Sequence, residues 1–166
     1  MIDSELERGL ERLHDRSFAW ALACCGGDRQ EAEDVLQSTY LKVLDGKARY
    51  AGRSSLKTWL FAVIRRTAVS RRRRRLSRRW LLERWGRSQR DRTASERSDA
   101  RAELSEQADH VRRALGALSR RQRQVLELVF YHQLSLAEAA EILGVSLGTV
   151  SSHYARGKAA LERSLD

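Results

Sequence analysis

Apolar residues recur along this chain at intervals of three and four, the spacing of one helix face. Leu6, Leu10 and Leu13 lead into Phe18, Ala21, Leu22 and Cys25, and Gly26-Gly27 closes that stripe. Asp28 and Glu31 stand at N-cap and N3 spacing, which predicts a capping box for the next helix. That helix carries Ala32, Val35, Leu36, Thr39, Tyr40, Val43 and Leu44 on one side and stops at Gly46. A short loop from Lys47 to Ser54 follows, and Ser54 or Ser55 can cap a third helix. Its inward face is Leu56, Leu60, Val63 and Thr67, flanked by Trp59 and Ile64. Leu104, Ala108, Val111 and Leu115 then open a second helical unit. With no proline in 166 residues, the pattern predicts an all-α protein of two small helical lobes.

Between the lobes, residues 86–99 hold no large apolar residue and cannot bury enough surface to offset the entropy of ordering. They read as a flexible linker, with a coil span of about 20 Å. The expected division is residues 1–85, a linker over 86–100, and residues 101–166. Lobes this small are marginal alone, so docking on a partner would help them.

The second lobe has the anatomy of a helix-turn-helix. Ser119 caps a helix bearing Val125, Leu126, Leu128 and Val129. A short helix with Ala139 and Ala140 permits close approach of its neighbour. Gly144 supplies the positive φ that ends it, Val145 plugs the corner, and Ser146 caps the next helix. Val150, Tyr154 and Leu161 hold that helix to the core. Ser146, Leu147, Gly148, Thr149, Ser151, Ser152, His153 and Arg156 then face outward, able to reach base edges or phosphates in a major groove.

Charge sharpens the picture. Lys and Arg number 32, of which 28 are Arg, against 22 acids, a formal net charge of +10. Residues 1–46 hold 10 acids and 5 bases, whereas residues 47–92 hold 17 bases and 2 acids. The excess therefore lies in one central block, densest at Arg71 through Arg75. A one-sign block is a footprint for phosphates. Five consecutive arginines cover every face of a helix, so the run is expected to lie in solvent and to add sequence-independent affinity. Just before it, Tyr50, Ala51, Gly52, Arg53, Ser54, Ser55, Lys57, Trp59 and Arg66 mix aromatics, hydroxyls and cations. Unstacked bases can pile on such rings while cations track the backbone. By composition alone Trp59 reads first as core and Tyr50 as an anchor of the loop. Trp80, Leu81, Leu82 and Trp85 are out of place in polar company, as a docked helix end or an exposed patch.

Other chemistry is not indicated. No apolar run approaches a membrane span. Met1-Ile2-Asp3-Ser4-Glu5 lacks the basic and apolar regions of a secretory signal, and the neighbours Cys24 and Cys25 are no disulfide framework, so a reducing cytoplasm is expected. His14, His110, His132 and His153 are scattered. No metal-ligand spacing and no Gly-rich phosphate loop appears. Neither a catalytic site, a metal nor a cofactor is expected.

Two stretches resemble one family. Residues 28–75, with Glu33-Asp34-Val35-Leu36-Gln37-Ser38-Thr39-Tyr40-Leu41 and Ser54-Ser55-Leu56-Lys57-Thr58-Trp59-Leu60-Phe61, are similar to region 2 of extracytoplasmic-function (ECF) sigma factors. Residues 114–161 resemble their region 4. The resemblance implies a promoter-specificity subunit of bacterial RNA polymerase. Asp34, Gln37, Tyr40 and Leu41 would dock on core polymerase. The set from Tyr50 to Arg66 would open and read the minus-ten element as single strand. The set from Ser146 to Arg156 would read the minus-thirty-five element as duplex. Members are commonly held by an anti-sigma factor, so the resemblance leaves room for such a partner. This chain departs from the family at Ser38, usually an acid, at Ser119, commonly proline, and at Ser151 and His153, frequently basic. Thr149-Val150-Ser151-Ser152-His153 also resembles the recognition helix of LuxR-type regulators, which bind duplex DNA without polymerase. The N-terminal lobe lacks the alternating strands of a receiver domain, which counts against that alternative.

Overall fold

The computed structural model describes residues 4–85 and 106–165, and every regular element among them is helical. The chain divides into two compact units, Met1–Arg97 and Ser98–Asp166. The linker expected over 86–100, and Leu104, lie outside the described residues.

In the first unit α1 (Ser4–Arg12), α2 (His14–Cys24), α3 (Arg29–Leu44) and α4 (Leu56–Arg84) surround one core. α2, α3 and α4 pack pairwise against one another, with α1 against α2. The expected single N-terminal stripe is broken at Leu13, where α1 gives way to α2. Gly9 is buried where α1 meets the head of α4, and a Cβ there would strike the Leu56 side chain. Trp20 is fully buried and donates its Nε1–H to the Phe61 carbonyl at 3.1 Å, its ring stacked on Phe61 at 5.9 Å. Val35, Leu60 and Ile64 complete the centre, so Ile64 is core and not a flank.

Local chemistry fixes the helix starts. The Asp28 carboxylate accepts from the Glu31 amide at 3.0 Å. The reciprocal half of that expected box does not form, because arginines of α4 hold the Glu31 carboxylate. Ser55 caps α4, accepting from the Thr58 amide at 3.1 Å. α4 then runs unbroken for 29 residues through the arginine block, about 43 Å of helix.

The second unit contains α5 (Glu106–Ala117), α6 (Arg120–Leu126), a π-helical turn (Glu127–Tyr131), α7 (Leu136–Leu143) and α8 (Leu147–Leu165). α5, α6 and α7 all pack on α8. Ser119 with Gln122, and Ser135 with Glu138, form complete capping boxes. The π turn leads into His132, which is fully buried with Nε2 3.8 Å from a Glu127 carboxylate oxygen. Burial pushes the Glu127 carboxyl above its ordinary range.

Candidate functional sites

At about 100° per residue, Glu33, Gln37, Tyr40 and Leu44 share one face of α3, with Leu41 and Asp34 on its border. The structure makes Gln37 and Tyr40 part of a groove of about 490 Å³ between α2 and α3, walled also by His14, Phe18, Arg29 and Leu36. His14 and Tyr40 lie ring on ring at 6.0 Å, with 3.1 Å between Nδ1 and the phenol oxygen. Burial raises the Tyr40 pKa. Leu41 and Leu44 stand 52% and 60% exposed, and Leu44 borders a second hollow with Leu10, His14 and Tyr40.

Asp34 turns to the other side. Arg71 donates from Nη2 to Asp34 Oδ2 at 3.0 Å, from Nε to Glu31 Oε1 at 3.1 Å and from Nη1 to Ser38 Oγ at 3.4 Å. Arg75 reaches Glu31 at 3.6 Å, and Lys42 Nζ donates to Thr67 Oγ1 at 2.9 Å across the same seam. The arginine run is therefore not uniform. Arg71 is half-buried and ties α3 to α4, contrary to the expectation that all five lie in solvent, because α4 still packs on α3 at that turn. Arg72 through Arg75 are exposed.

The expected minus-ten residues cluster at the head of α4. Gly52, at φ +69°, turns the loop back. Tyr50 then meets Trp59 with centroids 5.3 Å apart and planes at 50°, and its hydroxyl donates to the Ser54 carbonyl at 2.7 Å. Trp59 is half-buried and Tyr50 exposed. Arg66, seven residues past Trp59, shares its helix face and is exposed. Arg53 and Ala51 are exposed in the loop, and Lys57 places Nζ 6.0 Å from the Phe61 ring centre. The Ser55 hydroxyl is engaged by the cap.

In the second unit α7, Gly144 and α8 make the expected helix-turn-helix. Gly144 adopts φ 64° and ψ 38°, and Ser146 Oγ accepts from the Thr149 amide at 3.1 Å. Val150 is fully buried, and Tyr154 stacks on Phe130 at 6.0 Å. Ser146, Leu147, Gly148, Thr149, Ser152 and Arg156 are exposed, whereas Ser151 and His153 are half-buried. His153 turns a buried Nδ1 inward.

Sequence reasoning missed Gly157, which is buried on the inner face of α8. A Cβ there would sit 3.1 Å from a Leu126 methyl carbon and 3.3 Å from Gln122 Cβ. Its seven-residue spacing from Val150 was the available signal. Gly157→Val is expected to cost about 2 kcal/mol by overpacking α8 against α6. Thermal unfolding measures this, and a variant as stable as the parent would show that α8 shifts freely.

Thiol chemistry has no support here. Burial foremost, then Glu31 and Asp28, push the Cys25 thiol up to about 12. The thiolate is the nucleophile, so iodoacetamide should label Cys25 at pH 8 on the order of a thousandfold more slowly than an ordinary thiol. The rate should climb about tenfold per pH unit through pH 10 without a plateau. Mass spectrometry reads this, and labelling as fast as glutathione would contradict it.

The two units correspond to two known regions in order. Residues 10–79 match the family described as Sigma-70 region 2, and residues 109–161 match Sigma-70, region 4. Together they define a sigma-70-class transcription initiation factor. The chain is 30% identical over 138 residues to RNA polymerase sigma factor YlaC of Bacillus subtilis (strain 168), covering 82% of this chain and 78% of that protein. It is 31% identical over 142 residues to ECF RNA polymerase sigma factor SigC of Mycobacterium tuberculosis (strain CDC 1551 / Oshkosh), covering 86% and 74%. The fold is shared with the sigma factor RpoE of Bartonella quintana, solved in complex with the anti-sigma factor NepR. That match has a TM-score of 0.72 at 24% identity over 98% of both chains. CnrH, solved with the cytosolic domain of CnrY, gives a TM-score of 0.60 at 23% identity over 97% of this chain and 87% of that one. The chain belongs to the ECF sigma factors of RNA polymerase, which direct promoter-specific transcription initiation. The LuxR-type alternative would account for α7 and α8 but not for residues 10–79.

Proposed function

We propose that this chain divides the work of initiation between its units. Residues 1–85 dock on core RNA polymerase and open the minus-ten element, residues 86–100 link the units, and residues 101–166 read the minus-thirty-five element as duplex. The observation that carries this reading is the Tyr50–Trp59 pair at the head of α4, with Arg66 on the same face. An extruded base loses its stacking neighbours at a cost of a few kcal/mol, and an aromatic pair beside cations offsets that loss. Polymerase docks on the groove face of α3, where Gln37, Tyr40 and Leu41 present an apolar and hydrogen-bonding strip. Asp34 supports that face through Arg71 and contacts polymerase only at its edge. Thr149, Ser152 and Arg156 supply the outward donors and acceptors of α8.

No catalytic residue is assigned, since bond formation belongs to the polymerase. No helix among the described residues is long and apolar enough to cross a membrane, which fits work in the cytoplasm. An anti-sigma factor is a partner in this reading, because the sigma factor RpoE, which shares the fold, was solved with the anti-sigma factor NepR.

Run-off transcription with purified core polymerase on a fragmented genomic library tests the reading. Transcripts from a few discrete start sites, present only with this protein, are expected. Protein-independent transcripts alone, with duplex binding that needs no polymerase, would overturn it.

A further inference from the structure

Past Arg71 the helix α4 leaves the core, with Arg75 still reaching back to Glu31 at 3.6 Å, and residues 72–85 are exposed throughout. This segment holds seven arginines and one acid, Glu83, which Arg79 pairs with at 2.9 Å. Within it Trp80 is 55% exposed and Trp85 81% exposed. Large rings in water on a charged helix are unfavourable unless something covers them.

The arrangement of the rings indicates what covers them. At about 100° per residue, Trp80 shares its face with Arg73 and Arg84, and Trp85 shares the opposite flank with Arg74 and Arg78. The Arg84 guanidinium lies over the Trp80 ring, 5.1 Å from its centre. Leu76 lies beside Trp80, Leu81 falls between the two faces and Leu82 lies beyond Arg78, so the apolar residues are interleaved with arginines and no continuous apolar side exists. A helix lying on a membrane needs its apolar residues on one side and its cations on the other. A protein partner burying either ring would have to desolvate the two guanidinium groups that share its face. A single strand instead presents flat bases to rings and phosphates to the cations beside them, alternating as these residues do.

We infer that residues 72–85 form a second platform for single-stranded DNA, indifferent to sequence and distinct from the loop at the head of α4. Trp80 lies about 32 Å along the helix from Trp59, so the two sites cannot hold the same base. The platform does not depend on the minus-ten reading, because it needs no promoter sequence.

The test uses the full-length protein and a fluorescent oligothymidylate of about 16 nucleotides. Trp80→Ala with Trp85→Ala should weaken binding on the order of tenfold or more, and Trp80→Phe with Trp85→Phe should restore most of it. Replacing Arg73, Arg74 and Arg78 with Gln should flatten the log-affinity against log-salt slope by about 2. Circular dichroism checks that each variant keeps its helix, and the Phe pair decides the matter where the Ala pair does not. Unchanged affinity in the Ala pair, or a Phe pair no better than it, would overturn the inference. So would tighter binding to oligouridylate or to phosphatidylserine vesicles, or a loss in the Ala pair that is as large on a blunt duplex of the same length.

Discussion

Trp20→Ala is expected to remove about 4 kcal/mol from the N-terminal unit. The indole is fully buried, stacks on Phe61 and donates to its carbonyl, so its loss leaves a cavity where α2 meets α4. Domains under 100 residues carry little more stability than that. The melting temperature of this unit should fall by roughly 20 °C, or its transition should vanish. Promoter-dependent transcription should disappear with it. Trp20→Phe keeps a ring against Phe61 but loses the Nε1–H donor and three ring atoms, so its smaller cost, about 2 kcal/mol, is an upper bound on the hydrogen bond. Scanning calorimetry of both variants is the measurement. A drop of a few degrees for the Ala variant would mean that the core closes over the gap.

The second large effect concerns promoter opening. Tyr50→Ala with Arg53→Ala should slow open-complex formation on a duplex promoter on the order of a hundredfold, a few kcal/mol. Tyr50 holds the loop in place through Ser54 and meets Trp59, so its removal takes away both a ring and the loop's anchor. On a template already melted across the minus-ten element, unstacking needs no further work, and the loss should be at least tenfold smaller. Permanganate footprinting follows the melted bases on both templates. Equal loss on the two would assign these residues to binding and not to opening.

What the sequence disclosed and what it concealed divide by distance along the chain. Asp28, Ser55, Ser119, Ser146 and Gly144 act on backbone within a turn of themselves, and their caps were readable from spacing alone. The all-helical pattern and the helix-turn-helix follow from the same short-range logic. The Trp20 hydrogen bond spans 41 residues and the Arg71 pairs span 40 and 37, separations that no local pattern encodes. Arg71 is chemically identical to the four arginines after it, and only its turn of α4 against α3 distinguishes it. For the same reason Asp34 read as a free docking residue while the fold gives it an internal partner. His132 offered no sequence signal for burial, because its environment is made by the π turn before it.

The far half of α4 has a further property as a polyelectrolyte. Arg74 and Arg78, and Arg75 and Arg79, stand four apart, and each such like-charged pair opposes the helix by a few tenths of a kcal/mol, whereas Glu31 sits between Arg71 and Arg75. Counter-ions therefore belong to the stability of this segment. Its far turns are expected to fray from Trp85 inward in dilute buffer and to tighten as multivalent anions are added. The last turns of α4 up to Trp85 are thus a segment whose order is coupled to the solution around it.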